Sequence, residues 1–94
     1  MDINKALRSV VSTGKVYFGI KEAKKVLKAG QAKLVIISSN CPKSYIEELK
    51  GFKKISTYNF KGSNIELGSS CGKPFPISVL TIVKPGKSNI LQLK

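Results

Sequence analysis

The sequence predicts an α/β fold, a three-layer α/β/α sandwich around a mostly parallel sheet. Three observations favour it. Helix-like and strand-like segments alternate regularly along the chain. The run Leu34 to Ile37 is apolar at every position, which is typical of a central strand covered on both faces. The length of 94 residues suits one core, so we expect residues 1–94 to form a single domain.

The first half of the chain predicts helix, strand, helix and strand in that order. Asp2 is a good N-cap, and Gly14 ends a first helix whose apolar residues recur at helical spacing, namely Ile3, Ala6, Leu7, Val10 and Val11. Lys15 to Phe18 is a short strand that Gly19 breaks. A second helix then ends at Gly30, with apolar positions Ile20, Ala23, Val26 and Leu27. The central strand follows and exits into Ser38, Ser39, Asn40, Cys41 and Pro42.

The second half repeats the alternation. A short third helix is predicted from Tyr45, Ile46, Leu49 and Phe52, and a strand from Ser56 to Phe60. A fourth helix should start at Ser63 or Asn64, be kept short by Gly68 and Gly72, and contain Ile65, Glu66 and Leu67. Two prolines make residues 73–76 a stiff loop. A last strand from Ser78 to Val83, a turn at Pro85-Gly86 and a closing segment with Ile90, Leu91 and Leu93 complete the chain.

The charge points to a polyanionic partner. Seventeen Lys and Arg stand against five Asp and Glu, a net charge of +12 in a chain of this size. A basic surface kept only for solubility is the alternative, although solubility is usually obtained with charges of both signs. Histidine is absent, which removes the commonest general base and metal ligand. We expect an intracellular, soluble protein, because no apolar run is long enough to span a membrane and the first residues do not form a signal peptide.

Three loops leave element ends where α/β proteins form their sites: residues 18–25, 38–43 and 72–77. The first offers Gly19 at a helix N-terminus with Lys21 and Lys25, which suit phosphates and the acceptor atoms of guanine. The second offers Asn40, whose amide can both donate and accept. The third offers Phe75, held between prolines as a platform for stacking on an unpaired base.

Each candidate has a purely structural alternative. Gly19 could be only a strand-to-helix corner, and Lys24 and Lys28 an ordinary solvated face. Asn40 could cap the third helix or close the turn, and Phe75 could belong to the core.

Several motifs together resemble the archaeal and eukaryotic large-subunit ribosomal proteins of the L-thirty-e family, and they cover nearly the whole chain. In the first half they are Thr13-Gly14-Lys15, Gly19-x-Lys21-x-x-x-Lys25, and Ala32 to Ile37 running into Asn40-x-Pro42. In the second half they are Tyr58-x-Phe60-x-Gly62-x-Asn64-x-Glu66-Leu67-Gly68, Gly72-Lys73, Phe75 and Pro85-Gly86.

The resemblance implies a four-stranded mixed sheet whose last strand is antiparallel to its neighbours. It also implies a function: binding a kink-turn of ribosomal RNA, an internal loop with tandem sheared G·A pairs and a sharply bent backbone, without cofactor or catalysis. Gly19, Lys21 and Asn40 would face the kinked strands, and Phe75, in the loop Gly72-Lys73-Pro74-Phe75, would pack on an extruded base. The implied location is the large subunit of cytoplasmic ribosomes, beside other ribosomal proteins, with a monomer outside the ribosome and no membrane partner.

Two rival functions stay open at this point. One is a kink-turn adaptor of guide RNAs or ribonuclease P; the wider superfamily typically has Asn where Lys21 stands, which favours the ribosomal branch. The other is a small thiol enzyme with Cys41 as nucleophile, activated by Lys21 and Lys25. Cys41 and Cys71 are both expected at the site end of the sheet, where they could form a disulfide.

Overall fold

A computed structural model describes residues 2–52 and 56–92 of the chain. The helices are α1 (Ile3–Thr13), α2 (Ile20–Lys28), α3 (Lys43–Lys50) and α4 (Asn64–Ser70). The strands are β1 (Lys15–Phe18), β2 (Leu34–Ile37), β3 (Thr57–Asn59) and β4 (Val79–Lys84), and a 3-10 turn, Ile90–Gln92, follows them. The predicted order of elements is confirmed throughout the described residues.

The sheet is mixed, with strand order β1-β4-β2-β3. β4 is antiparallel to both β1 and β2, while β2 and β3 are parallel. The mostly parallel sheet expected from alternation is therefore wrong, and the mixed sheet implied by the family resemblance is confirmed. Alternation of helices and strands failed as a guide because it does not say where the last strand inserts, and β4 enters between β1 and β2.

Helices cover both faces of the sheet, so the three-layer architecture is confirmed. On one face α1 and α4 pack against alternate strand residues, including Leu34, Ile36, Leu80 and Ile82. On the other face α2 and α3 pack against Val35, Ile37 and Val79. All four residues of β2 are buried, as the uninterrupted apolar run indicated, because burial on both faces leaves no polar side of the strand.

Local boundaries differ from expectation at a few residues. Phe52 lies beyond the end of α3, and α4 is short, as predicted, with Gly68 inside it and Gly72 beyond its end. Ser78 precedes β4, which continues instead to Lys84. Of the closing segment, Ile90 and Leu91 form the 3-10 turn, while Leu93 lies outside the described residues. Across residues 2–52 and 56–92, none of the helices is long and apolar enough to cross a membrane.

Candidate nucleic-acid interface

The three candidate loops meet at one end of the sheet, here called the site end. The backbone N–H of Gly19 donates to the carbonyl of Val79 at 2.9 Å, which joins the end of β1 to the start of β4. The N–H of Ser38, at the exit of β2, donates to the carbonyl of Ser78 at 3.0 Å. The sheet thus brings together residues from distant parts of the chain, as the motif analysis predicted.

Gly19 sets the direction of α2. Its φ of 95° and ψ of 163° lie in a region that side chains rarely adopt, so the position requires glycine for conformational reasons. No side chain caps α2, and the first helical hydrogen bond is the one from Ala23 N–H to the Gly19 carbonyl at 3.1 Å. The N–H groups in the first turn of α2, before Ala23, have no side-chain cap. They face the site end, an arrangement that favours the binding of anions. Glycine is thus required at this strand-to-helix corner, and its contact with RNA stays a prediction.

The four lysines of α2 differ in their surroundings. Lys21 is exposed in the first turn, while Lys25, one turn further on, lies 3.8 Å from Glu22 and remains largely exposed. Lys24 forms an exposed ion pair with Glu48 of α3 at 2.9 Å, which agrees with its interpretation as part of the helix surface. Lys28 is exposed, as expected of a solvated face. Lys21 is thus the α2 lysine in the first turn, next to Gly19.

Asn40 is held by a network that spans three segments. Its Oδ1 accepts from the backbone N–H of Asn64 at 2.8 Å and from the Ser38 hydroxyl at 3.1 Å. Its Nδ2 donates to Asn64 Oδ1 at 3.3 Å, and Asn64 Nδ2 donates in turn to Ser78 Oγ at 3.2 Å. Asn40 therefore ties the exit of β2 to the start of α4, and the alternative that it caps the third helix is wrong. The residue is nevertheless exposed, so its amide can also meet a ligand.

Two substitutions of Asn40 should separate its structural role from RNA contact. Asn40→Ala removes the acceptor for the Asn64 N–H and should lower the free energy of unfolding by about 0.5–2 kcal/mol, as for a lost helix cap. Asn40→Asp keeps that acceptor but loses the Nδ2 donor to Asn64 Oδ1, so it should cost less stability than Asn40→Ala, while its charge should repel phosphates and weaken RNA binding. The measurements are chemical denaturation and RNA titration. Unchanged RNA affinity of Asn40→Asp would mean that Asn40 does not face the RNA.

The loop of residues 72–77 is anchored on α4 at both ends. Lys73 N–H donates to the Gly68 carbonyl, and Ile77 N–H donates to the Asn64 carbonyl, each at 2.9 Å. Gly68 is required because a Cβ at this position would lie 2.0 Å from the Phe75 carbonyl oxygen. Gly72 turns the chain with a φ of 76°. These anchors hold the loop in one conformation before any ligand binds.

Phe75 projects from this loop and is 45% exposed, so the alternative that it belongs to the core is wrong. Its ring packs edge-to-face on Phe18, with ring centroids 6.0 Å apart at 85°. Lys73 Nζ lies 5.7 Å from the centroid of Phe18. The first and third loops therefore form one surface with two aromatic rings and an ammonium group.

Ile65 is a candidate that sequence analysis missed. It was predicted only as a residue of the fourth helix, and it is 69% exposed. It lines a groove of about 270 Å³ together with Phe75, Lys73, Pro74, Pro76 and Ser69. The helical pattern did contain a signal, because Leu67 and Ile65 are two positions apart and cannot both point into the same core.

Both cysteines are free and buried, and they pack on opposite faces of the sheet. Cys41 belongs to the cluster beneath α2 and α3, and Cys71 to the cluster beneath α1 and α4. The disulfide that these cysteines could have formed is therefore not present. Burial raises the pKa of Cys41, and it raises the pKa of Cys71 to about 11 although the charge of Lys73 opposes the shift. A raised pKa keeps a thiol protonated at neutral pH, which argues against Cys41 as a nucleophile.

Thiol chemistry should reflect this burial. We expect slow reaction of the native protein with a disulfide-exchange reagent at neutral pH and rapid reaction of two thiols after denaturation. Because the folded pKa of Cys71 exceeds its ordinary value of 9.0, its contribution to stability is present below pH 9.0 and is lost as pH rises toward about 11. Rapid modification of native Cys41 would contradict this account.

Comparisons with known proteins agree with the resemblance seen in the sequence. Residues 1–92 match the family described as the ribosomal protein L7Ae/L30e/S12e/Gadd45 family. The large ribosomal subunit protein eL30 of Methanoregula boonei is 43% identical over 94 residues, covering 100% of this chain and 97% of that protein. The eL30 protein of Methanosphaera stadtmanae is 45% identical over 97 residues, covering 100% of this chain and 99% of that protein. The eL30 protein of Methanococcus vannielii is 47% identical over 96 residues, covering 99% of this chain and 91% of that protein.

Proposed function

Since the chain belongs to the ribosomal protein L7Ae/L30e/S12e/Gadd45 family, we propose that it is a constituent of the large ribosomal subunit that binds a kink-turn of ribosomal RNA and stabilises its bend. The relatives that share its full length are named large ribosomal subunit proteins. Its role is structural rather than catalytic, and its place is in the ribosomes of the cytoplasm.

The convergence of three loops at the site end is the observation that carries this proposal. An uncapped helix N-terminus, the Asn40 amide and the exposed Phe75 ring come from three separate segments and lie on one surface. The helix N-terminus suits a phosphate, the amide suits the edge of a base, and the ring suits the face of a base. An RNA that presents all three at once must be bent and partly unpaired, because an A-form duplex hides its base edges in a deep, narrow groove.

Affinity and specificity have different sources in this arrangement. The net charge of +12 supplies an attraction to any RNA that weakens with salt. Specificity comes from the site end, where Gly19, Lys21 and Asn40 face the kinked strands and Gly72, Lys73 and Pro74 hold Phe75 against an extruded base. Ile65 forms the second apolar wall for that base, beside Phe75. Lys25 contributes phosphate contacts one helical turn away from Lys21.

Cross-linking in cells followed by sequencing of the attached RNA tests this function. We expect cross-links to concentrate at an internal loop of large-subunit ribosomal RNA that can form tandem sheared G·A pairs. Enrichment of guide RNAs or of ribonuclease P RNA would instead support the adaptor function. A protein with Asn40→Asp serves as the matched control, because it should fold and yet lose the specific cross-links.

A further inference from the structure

A second cluster of positive charge lies at the opposite end of the sheet. Lys15 begins β1, Lys84 ends β4, and Lys33 immediately precedes β2. These three strands are neighbours, so the three residues, here called the far-end lysines, share one edge of the molecule. The Lys33 N–H donates to the Ile82 carbonyl at 2.7 Å, which fixes Lys33 next to the last residues of β4. All three side chains are exposed.

The far-end lysines have no carboxylate partner among residues 2–52 and 56–92. The ion pairs found there join Lys24 to Glu48 and Lys25 to Glu22. Lys15 and Lys84 are instead register partners in the antiparallel pair of β1 and β4, at a point where the register shifts between Lys15 and Val16. Like charges on neighbouring strands repel, and a bound anion would relieve that repulsion.

Lys15 is also held in place before any anion arrives. Its Nζ lies 5.8 Å from the centroid of the Tyr17 ring, two residues along the same face of β1. A cation that contacts an aromatic face is weakly immobilised without being neutralised. The ammonium group of Lys15 is therefore positioned by the Tyr17 ring.

We propose that the far-end lysines bind the phosphate backbone of a second RNA segment, so that the protein joins two segments of RNA from opposite ends of its sheet. β4 has 6 residues and links the two ends, which places them roughly 20 Å apart. The molecule measures 30 × 24 × 21 Å. An RNA segment engaged at the site end thus leaves the far end available to another segment.

RNA is favoured over an acidic protein as the occupant, and here the inference rests on the proposed function. A protein docked on one RNA segment lies among the phosphates of neighbouring segments. The far end offers exposed ammonium groups, which suit phosphates and carry no sequence preference. We therefore expect binding that depends on salt and tolerates any duplex sequence.

The test uses the full chain, a kink-turn RNA and a separate perfect duplex that carries a different fluorescent label. The protein is first saturated with the kink-turn RNA, which blocks the site end, and the duplex is then titrated at low salt. We expect a ternary complex with the native sequence. Lys15→Gln combined with Lys84→Gln should weaken duplex recruitment about tenfold and reduce the slope of log affinity against log salt by about 2.

A matched variant removes the same charge elsewhere. Lys5→Gln with Arg8→Gln takes two exposed cations from α1, and it should recruit the duplex almost as well as the native protein. All variants should bind the kink-turn RNA with nearly unchanged affinity. Equal duplex recruitment by the two double variants would overturn the proposal. Recruitment of a glutamate polymer in preference to the duplex would overturn it as well, by assigning the surface to an acidic protein.

Stability gives a second readout that a misfolded variant could not imitate. Because Lys84→Glu places opposite charges across the strands, it should raise the melting temperature while abolishing duplex recruitment. A lower melting temperature would contradict the repulsion between Lys15 and Lys84. Failure of the native protein to bind the kink-turn, with duplex binding intact, would refute the proposed function and not the far-end surface.

Discussion

Phe75→Ala should weaken binding of kink-turn RNA by about 1–3 kcal/mol, the usual value of one base stacked on an aromatic side chain. Phe75 is 45% exposed, and its loop is anchored to α4 at Lys73 and Ile77, so little conformational entropy is lost when a base binds. The free energy of unfolding should fall only by about 1 kcal/mol, mainly from the lost edge contact with Phe18. RNA titration and chemical denaturation measure the two effects.

Three further substitutions separate stacking from packing. Phe75→Tyr keeps an aromatic face and should bind almost normally, whereas Phe75→Leu keeps apolar bulk and should lose most of the affinity. Phe60→Ala is the contrasting core substitution, because Phe60 is only 7% exposed; it should cost about 3–5 kcal/mol of stability. If Phe75→Leu binds as well as the native protein, Phe75 contributes apolar contact and not stacking.

Lys21→Ala should also weaken kink-turn binding by about 1–3 kcal/mol if its ammonium group contacts the edge of a guanine. The residue is exposed in the first turn of α2, beside Gly19, where the chain direction is fixed by a positive φ. It carries no ion pair to weaken its charge within the described parts of the chain. Fold stability should hardly change, because exposed substitutions away from caps and cores are usually within 0.5 kcal/mol or so.

Lys50→Ala is the control for Lys21, since Lys50 is also exposed but lies at the end of α3. Lys50→Ala should lower the affinity for kink-turn RNA only by reducing the net positive charge of the protein. The effect of Lys21→Ala should depend on the base that it contacts, whereas a phosphate contact would weaken all RNAs uniformly and lower the salt slope by about 1. Equal, small losses of RNA affinity for both variants would mean that Lys21 contributes only to the general positive charge of the protein.

Much of the fold could be predicted because local pattern and burial agree. Leu34 to Ile37 lacks alternation because the strand is covered on both faces. Asp2 starts α1 by accepting from the N–H groups of Asn4 and Lys5, as its residue type indicated. The direction of β4 could not be predicted in this way, because strand order depends on contacts between distant segments. Only the resemblance to a known family supplied it.

The sequence predicted which loops form the candidate site, but not the hydrogen bonds that hold their side chains in place. Asn40 was chosen for its amide, yet its partner Asn64 lies 24 positions away, a contact that no spacing rule indicates. The opposite placement of Cys41 and Cys71 depends equally on which face each loop covers. Ile65 was predicted only as a residue of the fourth helix, because its exposure depends on which face of α4 meets the sheet.

The central claim is that the site end recognises a bent, partly unpaired RNA rather than charge alone. The most direct test is competition at physiological salt between a kink-turn RNA, a perfect duplex of equal length, and the same kink-turn with its G·A pairs changed to Watson–Crick pairs. We expect the kink-turn to bind more than about tenfold tighter than either competitor, a difference of at least roughly 1.4 kcal/mol. Equal affinity for all three RNAs would contradict the account and leave only a generally basic protein.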